Sequence, residues 1–267
     1  MSTRGASFIW YELMTPDANA AASFYGTVVG WKIADRPDPA AGGKDYRHIG
    51  RDDGGGAGGV LQLTPDMLSQ GARPAWVGYL YVPDVERAVQ AITADGGRAL
   101  MATLTLPVGR IAMVTDPMGA PIYVMTPVPP PGRPDAVSDV FSVDRSQHVR
   151  WNELISPEVP RAQAFYAKHF GFQFKESMPM GPELGDYHFI DDGGLRIGGA
   201  MKQPHAEGPA GWTFYFGVPS ATAAVRAIEA AGGKIEMGLH QVPGGDWVAI
   251  ATDPQGARFG IVGPKGD

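Results

Sequence analysis

The stretch W-Y-E-L at residues 10–13 returns as W-N-E-L at residues 151–154, with Glu12 and Glu153 lying 141 residues apart. The same register places Phe24-Tyr25 on Phe165-Tyr166, Gly30-Trp31 on Gly171-Phe172 and Asp45-Tyr46 on Asp186-Tyr187. Farther along, the offset falls to 136 or 137, matching Trp76 with Trp212, Val82-Pro83 with Val218-Pro219, Gly96-Gly97 with Gly232-Gly233 and Asp116-Pro117 with Asp253-Pro254. Small loop insertions shift a duplicated chain in this way. Between the copies, P-V-P-P-P-G-R-P at residues 127–134 favours extended polyproline geometry and a semi-rigid linker. The sequence therefore reads as two homologous domains, 1–128 and 147–264, joined by a Pro-rich linker at 129–146.

Each copy follows the same grammar. The opening strand ends at Thr15-Pro16 and at Ser156-Pro157, where a hydroxyl can cap a helix whose first position is the proline. That helix carries Phe24-Tyr25 or Phe165-Tyr166, which read as core, and stops before Gly30 or Gly171. Short strands rich in Tyr and Gly follow, and the scheme restarts at W-V-G-Y-L-Y-V, with helical spacing in D-V-E-R-A-V-Q-A-I and a stop at Gly96-Gly97. The last hairpins turn at D-P-M-G and D-P-Q-G, with Asp, Pro and Gly at the positions a type I turn prefers. Each domain is thus two β-α-β-β-β modules, an α+β organisation.

Paired modules of this kind, with F-Y in the first helix, G-W/F after it, V-P-D/S before the second helix and a closing D-P-x-G, resemble the vicinal oxygen chelate superfamily, the glyoxalase and bleomycin-resistance fold. The order W-x-E-L-x-T/S-P-D/E, F-Y, G-W/F is similar to the tandem glyoxalase-like proteins. The resemblance covers nearly the whole chain. It implies that each domain pairs its modules into a curved, half-open barrel around a cavity.

The 267 residues, 44% apolar and 19% charged, suit a globular chain with ample core. No run approaches the roughly 18 apolar residues of a membrane helix, and residues 1–5 lack a leader pattern, so a cytoplasmic location is expected. The absence of cysteine excludes disulfides and thiolate metal sites, and the net charge of −6 gives no reason to expect nucleic acid. The expected partners are a small-molecule ligand and the other half of the chain, packed as single-domain relatives pack in dimers, with a homodimer also open.

In metal-using relatives, His or Gln on the first strand, His on the fifth and Glu on the last hold a divalent ion. Register places Trp10 and Trp151, Val77 and Thr213, and Tyr123 and Gly260 at those positions; a fourth-strand position falls near Gln62 or Lys202. Trp, Val and Gly offer no donor, so neither a metal nor another cofactor is expected. His148, three residues before Trp151, should be an exposed strand-end histidine on the opposite face; its repeat partner is Ser7.

Trp10 and Glu12, like Trp151 and Glu153, lie two apart on a strand and share a face. Each indole either fills the barrel or offers an apolar plane for stacking on a conjugated ligand. Each carboxylate either bonds a buried donor or serves as an acid/base or recognition group. Tyr46 and Tyr187 occupy equivalent places, but His48 becomes Phe189, so a cavity facing them would be more polar in the first domain. The opposite facing of these rows is equally open. The run G-G-G-A-G-G reads as a bend or mobile loop, without the Lys-Ser/Thr of a phosphate loop. The candidate catalytic residues are Glu12 and Glu153. The candidate ligand contacts are Trp10, Tyr46, His48, Val77, Tyr123, Trp151, Tyr187 and Thr213. The favoured function is metal-independent binding of a small apolar or aromatic metabolite. The alternatives are a lyase, isomerase or dioxygenase-like enzyme acting on a carbonyl compound through a cavity Glu or a nonstandard metal site, or one active domain completed by a degenerate partner.

Overall fold

The computed structural model describes residues 8–204 and 210–267; Ser7 lies outside them. The first half runs β1 (Phe8–Thr15), α1 (Ala18–Val28), β2 (Lys32–Ile33), β3 (Tyr46–Gly50), β4 (Gly56–Gln62), α2 (Pro65–Ser69), β5 (Ala75–Tyr81), α3 (Val85–Ala94), β6 (Arg98–Ala99), β7 (Leu104–Leu106), β8 (Gly109–Thr115) and β9 (Pro121–Pro127). The second runs β10 (Val149–Ser156), α4 (Val159–Phe170), β11 (Ser177–Pro179), β12 (Asp186–Asp192), β13 (Leu195–Lys202), β14 (Gly211–Gly217), α5 (Ala221–Ala230), β15 (Lys234–Gln241), β16 (Trp247–Thr252) and β17 (Arg258–Gly263). No described helix is long and apolar enough to cross a membrane.

Strands β1–β9 belong to one mixed sheet and β10–β17 to another, and neither closes into a barrel. The hydrogen-bonded runs are β2-β3-β4-β1 and β5-β9-β8-β6 in the first, with β7 on β8, and β11-β12-β13-β10 and β14-β17-β16-β15 in the second. Parallel pairs β1/β4 and β10/β13 follow from the intervening helix, which returns the chain in the same direction.

Two local expectations need correction. The first helix begins two residues after its proline: Asp17 is the cap, its Oδ1 accepting from the N–H groups of Asn19 and Ala20, while the buried Thr15 hydroxyl accepts from Asp17 N. In the repeat, the Ser156 hydroxyl likewise accepts from Glu158 N, and Pro160 falls inside the first turn. A hydroxyl buried at the strand end serves the turn rather than the helix. The glycine run is not all loop either, because β4 starts at Gly56 and pairs with β3.

The contacts divide the chain into two compact units that do not follow the sequence halves. One combines Trp10–Trp76, Asp139–Arg150 and Thr213–Asp267; the other combines Val77–Ser138 and Trp151–Trp212 with Phe8 and Ile9. Each unit has an aromatic centre built to one plan. In the first, Phe216 packs 4.7 Å from both Trp31 and Trp76. The Trp76 Nε1–H donates to the Tyr25 hydroxyl at 2.8 Å, and that hydroxyl donates to Asp253 Oδ2 at 3.0 Å. In the second, Trp212 donates to Tyr166 at 2.9 Å, and Tyr166 donates to Asp116 Oδ2 at 3.3 Å.

The aspartates are those of the D-P-x-G turns. The Oδ1 of each accepts two backbone N–H groups of its own turn, Met118 and Ala120 or Gln255 and Ala257. Burial pushes both carboxyl pKa values up from the ordinary range, against these hydrogen bonds. The turn motif therefore anchors a helix tyrosine as well as reversing the chain.

Tyr25→Phe removes the O–H that serves Asp253 and the acceptor that serves Trp76. We expect it to lower unfolding free energy by about 1–3 kcal/mol in urea denaturation, with a cooperative transition retained. An unchanged midpoint would show that the buried relay adds nothing to the fold.

Candidate functional site

Strand parity sets which side chains can meet. On β1, Trp10 and Glu12 take one face, while Tyr11 takes the other and packs edge-on against Phe214 at 5.0 Å. On β3, Tyr46 and His48 share a face, and the buried Arg47 turns away to Asp45 and Asn19. The two rows converge. The half-buried Trp10 donates its Nε1–H to the Tyr46 hydroxyl at 2.7 Å. His48, more than half exposed, stands edge-on to Trp10 at 6.1 Å and to Tyr46 at 5.8 Å, with Nε2 2.9 Å from Asp38 Oδ2.

Glycines on β4 allow this close approach. Gly59 is the register partner of both Glu12 and His48, and a Cβ there would overlap the Tyr46 phenol. The benzo edge of Trp10 lies over Gly56, 3.6 Å from where a Cβ would stand. Both rings thus lie against bare strand backbone. Burial and the nearby charge of the 3% exposed Glu12 push the Tyr46 pKa upward, so the phenol stays protonated and can donate.

The repeat rebuilds the cluster in the other compact unit. Trp151 donates to the Tyr187 hydroxyl at 2.7 Å, and Tyr187 donates to Glu153 Oε2 at 3.1 Å. Gly199 opposes Glu153, and a Cβ there would overlap the Tyr187 ring. Burial, then Glu153, pushes the Tyr187 pKa well above its ordinary value. Phe189 stands edge-on to Trp151 and Tyr187, as His48 does to Trp10 and Tyr46. The contrast between the halves extends beyond that exchange, because the Arg196 guanidinium lies 4.4 Å from the Phe189 ring centre, paired with Asp191 and Glu176.

The other candidates are divided between the units. Val77 and Tyr123 are buried in the second, where Tyr123 stacks on Tyr79 at 4.2 Å and 17°. Thr213 is buried in the first, and its hydroxyl accepts from Arg258, which pairs with Glu236 at 2.8 Å. Sequence reasoning missed Tyr79 and Tyr215, each two residues after a candidate position and so on the same strand face, a period-two signal that was available. Arg196, Arg258 and Glu236 gave no such signal.

His148 is buried, at 2% exposure, rather than exposed as expected. Its Nδ1 bonds the Ser146 carbonyl at 2.8 Å, and burial lowers its pKa. Gln62 accepts from the N–H of Ala18 at the start of α1, and Lys202 donates to the Glu183 carbonyl. Two open grooves of about 550 and 500 Å³ lie on helix surfaces, one along α3 and one between the α1 and α5 ends, and include none of the W-x-E residues.

The duplicated fold and this strand grammar are shared by known proteins. The profile of the Glyoxalase/Bleomycin resistance protein/Dioxygenase superfamily matches residues 7–124 and 145–261. The chain belongs to this superfamily. It is similar to a Mycobacterium tuberculosis (strain CDC 1551 / Oshkosh) protein named "Putative glyoxylase CFP32", with 29% identity over 96% of this chain and 94% of that one. It is also similar to the anthracycline biosynthesis protein DnrV of Streptomyces peucetius, with 27% identity over 95% of this chain and 91% of that one. Among solved structures, the Mn(II)-bound glyoxalase of Novosphingobium aromaticivorans shares the fold, with a TM-score of 0.60 at 14% identity, covering 99% of this chain and 83% of that one.

The residues present do not fit the divalent ion the family implies. An ion needs several imidazole or carboxylate donors, and the positions expected from strand register carry Trp, Val or Thr, and Tyr or Gly. No cluster of three or more His, Cys, Asp or Glu suited to a metal ion occurs among the described residues.

The buried phenols give a pH signature. Tyr25, Tyr46, Tyr166 and Tyr187 all have folded pKa values above the ordinary one, by burial first and a neighbouring carboxylate second. Their stabilisation is therefore complete below about pH 10 and lost as pH rises through the folded values. Melting temperature should fall above about pH 10, with their phenolate absorbance appearing only as structure is lost. Ionisation of all nine tyrosines near pH 10 in an intact fold would contradict this.

Proposed function

We propose that the protein is a metal-independent binder of a small, planar aromatic metabolite, using Trp10 and Trp151 as stacking platforms. The observation that carries this reading is the way Trp10 and Tyr46 lie over Gly56 and Gly59, joined edge to edge by a hydrogen bond. One face of each ring rests on backbone, and the hydrogen bond fixes their orientation before any ligand arrives. A platform ordered in advance spends less of its binding energy on ordering.

Glu12 and Glu153 supply the polar group that orients a ligand at such a mostly apolar surface. Tyr187 holds Glu153 by a hydrogen bond, which restricts its rotamers. That arrangement suits recognition. The similarity to an anthracycline biosynthesis protein supports the reading, since its name refers to polycyclic aromatic compounds.

Acridone, a neutral planar fluorophore, tests the platform. Trp10→Ala should weaken acridone binding by about 1–3 kcal/mol while a circular-dichroism melt stays cooperative. Unchanged binding with a loss of about 3–5 kcal/mol of stability would make Trp10 a core residue and overturn the reading. Turnover of any carbonyl substrate that Glu12→Gln abolishes would favour acid/base chemistry instead.

A further inference from the structure

The first cluster contains a pair that its repeat lacks in both members. His48 Nε2 lies 2.9 Å from Asp38 Oδ2. The offset of 141 that aligns Gly30-Trp31 and Asp45-Tyr46 with their repeats places His48 on Phe189 and Asp38 on Pro179. Neither an imidazole nor a carboxylate stands at those places in the second half.

Several bonds fix the acid before it meets the imidazole. The Asp38 N–H donates to the Tyr46 carbonyl at 2.7 Å, which ties its loop to β3. Its Oδ1 accepts from the N–H of Ala40 at 2.8 Å, in the short 3-10 turn at Pro39–Ala41, and Oδ2 is directed to His48. The bond from Ala40 first, and that from His48 second, hold the Asp38 carboxyl below the usual carboxylate range. A carboxylate only accepts, so the neutral imidazole keeps its proton on Nε2 and presents Nδ1 as an acceptor. That Nδ1 has no partner among the described residues. The side chain is 56% exposed and borders both Trp10 and Tyr46. The Trp10 N–H, by contrast, is already given to Tyr46.

The geometry points to the first cluster as selective for a planar arene with a hydroxyl at its edge. The arene stacks on Trp10, and its hydroxyl donates to His48 Nδ1. Asp38 is the positioning residue, setting the tautomer that leaves Nδ1 free to accept. Phe189 gives the second cluster no such acceptor. A site that bonds a hydroxyl rejects an analogue without one, because the acceptor then loses water and gains no partner. This inference rests on the platform reading of Trp10.

Titration of the full chain with 2-naphthol, and with 2-methoxynaphthalene, which keeps the rings but has no donor, tests it. In Trp151→Ala, where the first cluster alone keeps its indole, we expect 2-naphthol to bind about tenfold tighter than the ether. Adding His48→Phe, the residue carried by the repeat, should bring the two affinities to equality. Adding Asp38→Asn instead should lower the preference without abolishing it, since an amide can donate as well as accept and no longer fixes the tautomer. In Trp10→Ala, which leaves only the second cluster, the two compounds should bind equally. Equal affinities at a site that Trp10→Ala removes, or a preference that survives His48→Phe, overturn the inference and leave the platform standing. The same preference in the second cluster also overturns it. An undiminished preference in Asp38→Asn overturns the role given to Asp38. Binding of both compounds that is indifferent to Trp10→Ala overturns the platform and the inference together.

Discussion

A buried carboxylate must find a donor, and in this chain the donor is repeatedly a tyrosine hydroxyl that itself accepts from a tryptophan N–H. The arrangement occurs at Trp151–Tyr187–Glu153, Trp76–Tyr25–Asp253 and Trp212–Tyr166–Asp116. At the fourth place, Trp10 donates to Tyr46 beside Glu12, whose charge raises the phenol's pKa. An indole has one donor and no acceptor, so the phenol between it and the acid is the group able to satisfy both. Once that chain is in place the phenol is directed, the acid is oriented and the rings are fixed in mutual angle. Mutating the tyrosine leaves two partners unmet, which makes it the sensitive link.

The same device has two uses. Around Asp116 and Asp253 it is buried and structural: the acid also serves the N–H groups of its own turn, and the aromatic rings are packed in the core. Around Glu12 and Glu153 it is set on β1 and β10, the first strand of each half. There the tryptophans are only half buried, and His48 or Phe189 borders them. On the proposed reading, these clusters offer a ligand π-faces rather than a metal ion. Val77, Thr213, Tyr123 and Gly260 likewise offer no imidazole or carboxylate.

The duplication, the module order and the turns were legible because they depend on local chemistry: Asp-Pro-x-Gly makes a turn wherever it occurs, and period-two spacing put Glu12 beside Trp10. The partners of those residues were not legible. Tyr25 and Asp253 are 228 positions apart, and nothing near either announces the other. Reading Asp253 as a turn residue was right for its Oδ1 and silent about its Oδ2. Helix starts were misplaced by two residues because Thr15 and Ser156 looked like caps, whereas burial gives their hydroxyls to the preceding turn. His148 was expected at the surface from its position at a strand end, but it is buried, with its Nδ1 bonded to the Ser146 carbonyl. The glycines at 56 and 59 read as loop material, since their reason is a ring brought over them by another strand.

The central claim is that aromatic rings and a tyrosine-held acid stand where relatives hold an ion. Thermal denaturation of the purified chain with Mn(II), Ni(II), Zn(II) or a chelator tests it most directly. An ion held in the native state at about a hundred times its Kd would add about 2.7 kcal/mol, a shift of several degrees. The account predicts the same melting temperature in every condition. A rise with one of these ions that the chelator reverses, and that is lost in Glu12→Gln or Glu153→Gln, would contradict it.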